Sequence, residues 1–124
     1  MIRILLAEDE EAMREYLSRS LEKNGYHVTS AENGLVALEL LESGTFDLLL
    51  SDIVMPEMDG IELAQHAGRV APDTKIMFIT GFAAVSLAAG KSVPQAKVLS
   101  KPFHLRNLVA EVDALFPDQS ASQG

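Results

Sequence analysis

The sequence predicts an α/β fold in which helices cover both faces of a five-stranded parallel sheet. Short apolar runs alternate five times with stretches of helical periodicity, and this alternation is typical of repeated strand–helix units. The length of 124 residues and the apolar content of 48% suit one domain with a substantial core. We therefore expect a doubly wound (βα)5 domain over residues 1–116, followed by a flexible tail at 117–124.

The first two strand–helix units are indicated by clear changes in hydrophobic period. Residues 2–7 are apolar almost throughout, which is typical of a strand covered on both faces. Residues 10–24 then place apolar side chains at helical spacing, and an Asn-Gly pair ends the pattern. A second strand is predicted at 26–31, and Asn33 is placed to cap a helix over Gly34–Ser43.

The other elements alternate in the same way. Asp59 is placed to cap the third helix, which ends before a proline because a proline disfavours helical backbone in the residue that precedes it. In chain order, the remaining strands and helices are predicted at 46–51, Gly60–Val70, Lys75–Thr80, 82–89, Lys97–Ser100 and 105–116.

Composition and charge exclude several classes of function. No cysteine is present, so disulfides and thiolate metal sites are excluded. A formal net charge of −8 repels a phosphate backbone and argues against direct nucleic-acid binding. The first residues lack the pattern of a secretory leader, and the longest uncharged stretch, 76–90, is too short and too broken by polar residues to span a membrane. We expect a soluble, cytoplasmic protein.

Polar and charged side chains stand at the ends of four of the predicted strands, either directly after the strand or as its last residue. Glu8 and Asp9 follow the first strand, Asp52 the third, Thr80 ends the fourth and Lys101 follows the fifth. In open parallel sheets, ligands bind at the carboxyl ends of the strands. If the first and third strands are neighbours, Asp9 and Asp52 lie side by side at that edge.

These residue types suit a phosphoryl group on an aspartate. Crowded carboxylates repel each other unless a cation neutralises them, and Mg²⁺ prefers such oxygen ligands, to which the carbonyl of Val54 could add one more. The Asp52 carboxylate is a nucleophile, while Thr80 and Lys101 could contact phosphoryl oxygens. A lone aspartate after a strand is more often a turn or cap residue. Four matching strand ends together favour the phosphorylation site.

The same residues resemble those of the response-regulator receiver domains of two-component signalling, which are CheY-like. The matching motifs are "LLAEDE", "DLLLSDIVMPEMDG", "ITG" and "SKPF", and the resemblance covers about residues 2–116. It implies the flavodoxin-like strand order 2-1-3-4-5. It also implies an Asp52 phosphoacceptor, a Thr80 switch hydroxyl, the Lys101 cation and a Mg²⁺ site formed by Glu8, Asp9, Asp52 and the Val54 carbonyl.

The resemblance also implies partners and an output. A histidine kinase or histidine phosphotransferase would supply the phosphoryl group, and the face formed by helix four, strand five and helix five would bind a protein. Similarity to stand-alone cell-cycle receivers implies an adaptor in regulated proteolysis. The resemblance implies slow self-hydrolysis of the phosphate rather than an enzyme activity, and it leaves a homodimer open.

Three features depart from the family pattern. Glu8 stands where aspartate is common, and we expect its longer arm to be tolerated through a bridging water, with the Mg²⁺ affinity as the property that changes. Val98 stands where an aromatic residue is frequent, so we hypothesise that Phe82 takes part in switching instead. The predicted fourth helix has no charged residue, which fits either burial against the sheet or an apolar contact surface for a partner or a second copy.

Two other functions remain as alternatives. A pseudo-receiver would bind partners without phosphorylation. A Mg²⁺-dependent phosphatase of the haloacid-dehalogenase type would need a second aspartate two residues after the nucleophile as its general acid. Val54 occupies that position and cannot transfer a proton, which argues against the phosphatase.

Overall fold

The computed structural model describes residues 1–81, 83–100 and 105–117 and shows five strands that alternate with five helices. The predicted α/β class is confirmed, because strand and helix alternate through the whole described chain. The elements are β1 Arg3–Ala7, α1 Glu11–Lys23, β2 His27–Ala31, α2 Gly34–Ser43, β3 Leu48–Asp52, α3 Gly60–Val70, β4 Lys75–Thr80, α4 Ala83–Ser92, β5 Lys97–Ser100 and α5 Leu105–Leu115.

The five strands form one parallel sheet in the order β2-β1-β3-β4-β5, as the family resemblance implied. This order reverses direction between β1 and β3, which places the two strands side by side at the centre of the sheet. The register pairs Ala7 with Ser51. The residues that follow β1 therefore emerge next to the end of β3, where a doubly wound sheet opens a crevice for ligands.

Each face of the sheet carries its own apolar core. Alternate strand residues point to opposite faces, so Leu48 and Leu50 join one cluster and Leu49 joins the other. Leu17 of α1 and Val112 of α5 pack into the cluster with Leu48 and Leu50. Helices α2, α3 and α4 supply the cluster on the other face. Both faces of the sheet are covered, which explains the nearly continuous apolar strands.

Helix boundaries match the predictions where a side chain caps the helix. The Asn33 side chain accepts a hydrogen bond from the Val36 N–H at 2.9 Å, and α2 has the predicted bounds. The Asp59 side chain accepts one from the Glu62 N–H at 2.8 Å, and α3 also has the predicted bounds. These bonds satisfy amide groups that the first turn of a helix leaves without partners.

Two elements depart from their predicted bounds by more than one residue at an end, and the other differences are of one residue. The third strand was expected at 46–51 but spans Leu48–Asp52, because the ladder to β4 continues through Asp52 and the Ile53 N–H bonds the Ile79 carbonyl at 3.3 Å. Asp52 is therefore the last residue of β3 and does not follow it. Helix α4 reaches Ser92 rather than residue 89, since the Val93 N–H still donates to the Ala89 carbonyl before Pro94.

Some predicted features lie outside the described residues. These are Phe82, Lys101 and all of the predicted tail except residue 117. No helix in the described ranges is long and apolar enough to cross a membrane.

Candidate functional site

The carboxyl ends of β1 and β3 bring three acidic side chains together. Glu8 and Asp9 directly follow β1, and Asp52 ends the neighbouring β3. Carboxylate oxygens of these three residues lie within 4.8 Å of one another. The expectation that Asp9 and Asp52 lie side by side is confirmed, and the physical reason is the adjacency of β1 and β3 in the sheet.

Asp52 is the last residue of β3 and is 9% exposed. Its backbone belongs to the sheet, and its carbonyl accepts a hydrogen bond from the Ser51 hydroxyl at 2.7 Å. Its carboxylate accepts one from the Val54 N–H at 3.3 Å. Gly60 closes the loop against it: a Cβ at Gly60 would lie 2.3 Å from the Asp52 carbonyl oxygen, so a larger residue cannot enter without a shift.

Glu8 is more buried than Asp52, with 1% exposure, and Asp9 is exposed. The Glu8 N–H donates to the Ala31 carbonyl at 3.1 Å, which extends the pairing of β1 with β2 beyond Ala7. Its carboxylate accepts a hydrogen bond from the Glu10 N–H at 3.1 Å. The longer arm of glutamate is therefore bent back toward its own turn.

Of the other predicted site residues, the structure locates Thr80 and Val54. Thr80 ends β4 with no exposed surface, one residue beyond Ile79, the register partner of Asp52. Val54 follows Asp52 by two residues and is 50% exposed. Lys101 is one residue beyond Ser100, which pairs with Thr80, but Lys101 itself lies outside the described residues.

Val98 lies on β5 and is partly buried against the core cluster on the α3 side of the sheet. Its branched side chain thus serves as packing where the family often has an aromatic ring. The hypothesis that Phe82 replaces that ring concerns a residue outside the described ranges, and it stays a prediction.

The electrostatics of the acidic cluster favour a bound cation. Three carboxylates that converge at a largely buried strand end repel one another more strongly than in water, because the local dielectric is low. A divalent cation among them would relieve this repulsion. Carboxylate oxygens are the ligands that hard cations such as Mg²⁺ prefer.

Sequence reasoning missed two contributors to this site. Arg14 of α1 donates from Nη1 to the Glu8 carbonyl at 2.9 Å and reaches the Asp9 carbonyl at 3.4 Å. The feature of the sequence that could have pointed to Arg14 is its position in the first turn of a predicted helix, where a positive charge is unfavourable. Gly60 was read as the start of a helix, and its close approach to Asp52 could not be seen from the sequence alone.

A parallel sheet of order 2-1-3-4-5 with an acidic cluster at the switch point is the arrangement that the resemblance to receiver domains implied. The sequence profile of the response regulator receiver domain matches residues 4–113, and the chain belongs to this family of two-component signalling proteins.

Named relatives agree with this assignment. The chain is 61% identical over 116 residues to the response regulator receiver protein CpdR of Brucella abortus, covering 93% of this chain and 97% of that protein. It is 40% identical over 121 residues to the sensor kinase CckA of the same organism, covering 94% of this chain and 13% of the kinase. Among solved structures, the response regulator TrrA of Thermotoga maritima in complex with Mg²⁺ and BeF has a TM-score of 0.80 at 34% identity, covering 94% of this chain and all of that one.

Proposed function

We propose that this receiver is a protein-binding module switched by phosphorylation of Asp52. The observation that carries the proposal is the convergence of Glu8, Asp9 and Asp52 within 4.8 Å at the switch point of the sheet. The Asp52 carboxylate attacks the phosphoryl group of a donor, and the donor's leaving group departs as the new O–P bond forms. Thr80 and Lys101 then contact the phosphoryl oxygens, as the family resemblance implies.

The acidic cluster fits Mg²⁺. Ligand oxygens around octahedral Mg²⁺ lie about 2 Å from the ion, so neighbouring oxygens are about 3 Å apart and opposite ones about 4 Å apart. The observed spacing within 4.8 Å needs only a small contraction, or a water molecule that completes the shell. Glu8, Asp9, Asp52 and the Val54 carbonyl would hold the ion. Bound Mg²⁺ supplies positive charge that offsets the charge on the phosphoryl oxygens.

We infer that the phosphodonor is a histidine kinase or a histidine phosphotransferase. The similarity to a segment of the sensor kinase CckA supports a phosphorelay of this kind. The similarity to CpdR along nearly the whole of both chains supports an output through protein binding. We extend the proposal to an adaptor role in regulated proteolysis during the cell cycle, which the sequence resemblance implied.

The output face is proposed at α4, β5 and α5. Strand β5 is an edge strand of the sheet, so its outer edge is not paired with another strand of that sheet. The net charge of −8 supports a protein partner rather than nucleic acid. We also propose a cytoplasmic location. A homodimer through the same face is compatible with it.

A phosphatase activity is not favoured by the geometry. A general acid two residues after Asp52 would have to occupy the position of Val54, whose half-exposed side chain carries no proton to transfer. Any loss of phosphate would then be slow self-hydrolysis rather than turnover of a substrate.

The proposal predicts that acetyl phosphate and Mg²⁺ add one phosphoryl group to the wild-type protein. Intact mass would be recorded for wild type, Asp52→Ala and Asp73→Asn. Asp73 is an exposed aspartate in the loop that precedes β4, at the other end of the sheet, and serves as the matched control. We expect the mass increase in wild type and Asp73→Asn and none in Asp52→Ala.

The proposal would be overturned if the folded wild-type protein gained no phosphoryl group from acetyl phosphate and none from a histidine kinase of the CckA type or a histidine phosphotransferase. That result would favour a pseudo-receiver. Repeated turnover of acetyl phosphate by wild type, at rates typical of enzymes, would instead favour the phosphatase.

A further inference from the structure

Arg14 holds the turn that carries two of the three acidic residues. It lies in the first turn of α1, and the residue as a whole is half-buried. One nitrogen, Nη1, donates to the Glu8 carbonyl at 2.9 Å and reaches the Asp9 carbonyl at 3.4 Å. The side chain thus bridges back across the β1–α1 connection to the main chain of both residues.

This placement of a cation needs an explanation. The amino-terminal end of a helix carries partial positive charge, so an arginine in the first turn is electrostatically unfavourable. The carbonyl contacts of Arg14 offset that cost, because a hydrogen bond from a charged donor is stronger than one between neutral groups. They also restrain the backbone at two successive positions, which a single capping bond would not do.

The turn is restrained from the other side as well. The Glu8 N–H is bonded to the Ala31 carbonyl at 3.1 Å, and the Glu8 carboxylate accepts from the Glu10 N–H at 3.1 Å. Glu8 is therefore fixed at its amide, its carbonyl and its side chain. Asp9 is exposed, so packing contributes little to its direction, and the contact of Arg14 with its carbonyl adds a restraint there.

We propose that Arg14 is a positioning residue for the divalent cation site. By fixing the carbonyls of Glu8 and Asp9, it aims their carboxylates at the point where Asp52 completes the cluster. The inference rests on the proposed function, in which these carboxylates bind Mg²⁺. A group that orients metal ligands in this way typically contributes about tenfold or more to metal affinity.

The sign of the effect separates positioning from simple electrostatics. A positive charge near a cation site repels the cation, so removal of Arg14 would tighten Mg²⁺ binding if charge were its main contribution. If Arg14 positions the ligands, its removal weakens binding although the site becomes more negative. The two explanations therefore predict opposite changes in the dissociation constant.

The test measures Mg²⁺ binding by isothermal titration calorimetry for wild type, Arg14→Ala, Arg14→Lys and Arg19→Ala. Arg19 lies on the same helix with its side chain exposed and paired with Glu15, so it controls for charge and for helix stability. We expect Arg14→Ala to raise the Kd about tenfold and Arg14→Lys to fall between Arg14→Ala and wild type, because lysine keeps a donor but loses the fork. Arg19→Ala should leave the Kd close to wild type.

Phosphorylation kinetics give a readout that loss of fold would not reproduce. For Arg14→Ala, the Mg²⁺ concentration for half-maximal phosphorylation should rise about tenfold, while the rate at saturating Mg²⁺ stays within about twofold of wild type. An unchanged or lower Kd in a folded Arg14→Ala protein would overturn the positioning role and leave the proposed function intact. If Arg14→Ala does not fold, a wild-type Kd for Arg14→Lys would overturn it. Wild-type protein that binds no Mg²⁺ would overturn the inference together with the metal site.

Discussion

Glu57 adopts backbone geometry that favours glycine. Its φ is 72°, in the region that side chains other than glycine rarely occupy, and the Met58 N–H donates to the Pro56 carbonyl at 2.8 Å. A hydrogen bond that spans one residue with a positive φ forms the rarer and more strained kind of γ-turn. The turn lies between Asp52 and the Asp59 cap, so the strain belongs to the loop that shapes the site.

Replacement of Glu57 should reverse the usual ranking of alanine and glycine. At ordinary positions glycine is less stable than alanine by about 0.5–1 kcal/mol. At Glu57 we expect Glu57→Gly to be more stable than Glu57→Ala by about 1 kcal/mol, because glycine relieves the positive φ. Urea unfolding of both variants measures the difference. Since both substitutions remove the same charge, the ordinary ranking, with Glu57→Ala more stable than Glu57→Gly by about 0.5–1 kcal/mol, would show that the backbone is not strained in solution.

At the scale of elements, Tyr26 joins the amino-terminal half of the domain to the last helix. The residue is buried immediately before β2, in the core cluster that includes Val112, and its hydroxyl donates to the carboxylate of Asp113 on α5. Burial, then the hydrogen bond to Asp113 and the charge of Asp113, raise the pKa of Tyr26 well above its ordinary value of 10.0. The fold therefore favours the protonated hydroxyl.

Tyr26→Phe should destabilise the protein by about 1–2 kcal/mol at neutral pH, because Asp113 loses a donor. A pKa that is raised in the folded state gives stability that is complete below pH 10.0 and is lost as the pH rises toward the folded pKa. The difference between wild type and Tyr26→Phe should therefore shrink above pH 10.0. Denaturant unfolding between neutral and strongly alkaline pH measures it, with Tyr16→Phe, at an exposed tyrosine, as control. A difference that stayed constant would contradict the coupling.

The sequence was most informative about elements that are defined by local chemistry. Asn33 and Asp59 fix the starts of their helices through side-chain bonds to nearby amides, and such bonds can be predicted from neighbours in the chain. The end of β3 was predicted one residue early, because its last pairing depends on β4, which is distant in sequence. The end of α4 was also missed, since its last turn depends on burial of Val93 against the core.

At the scale of the whole molecule, the sequence predicted which acidic residues would meet, because the strand order implied by the family resemblance brings β1 and β3 together. It did not predict how they are held. The bond from Arg14 to Glu8 and the close approach of Gly60 to Asp52 are contacts whose distances depend on the folded backbone. The residue types near the strand ends can be predicted from a sequence, whereas the contacts that restrain those residues depend on the folded backbone.

The acidic cluster also makes global stability depend on divalent cations. Its ligands lie on two central strands, so an ion that binds them stabilises the folded chain and not the unfolded one. At a Mg²⁺ concentration ten times the Kd, the linkage relation gives a stabilisation of about 1.4 kcal/mol, or roughly 5 °C in Tm for a domain of this size. Asp52→Asn removes one ligand charge and should show a clearly smaller Mg²⁺ shift.

Thermal unfolding in EDTA and in Mg²⁺, at matched ionic strength, measures both effects. Matching the ionic strength is necessary because a chain with a net charge of −8 is stabilised by screening alone. Asp73→Asn removes the same charge at an exposed position and should keep the full Mg²⁺ shift. Equal Mg²⁺ shifts in all three proteins would place the cation away from the ends of β1 and β3.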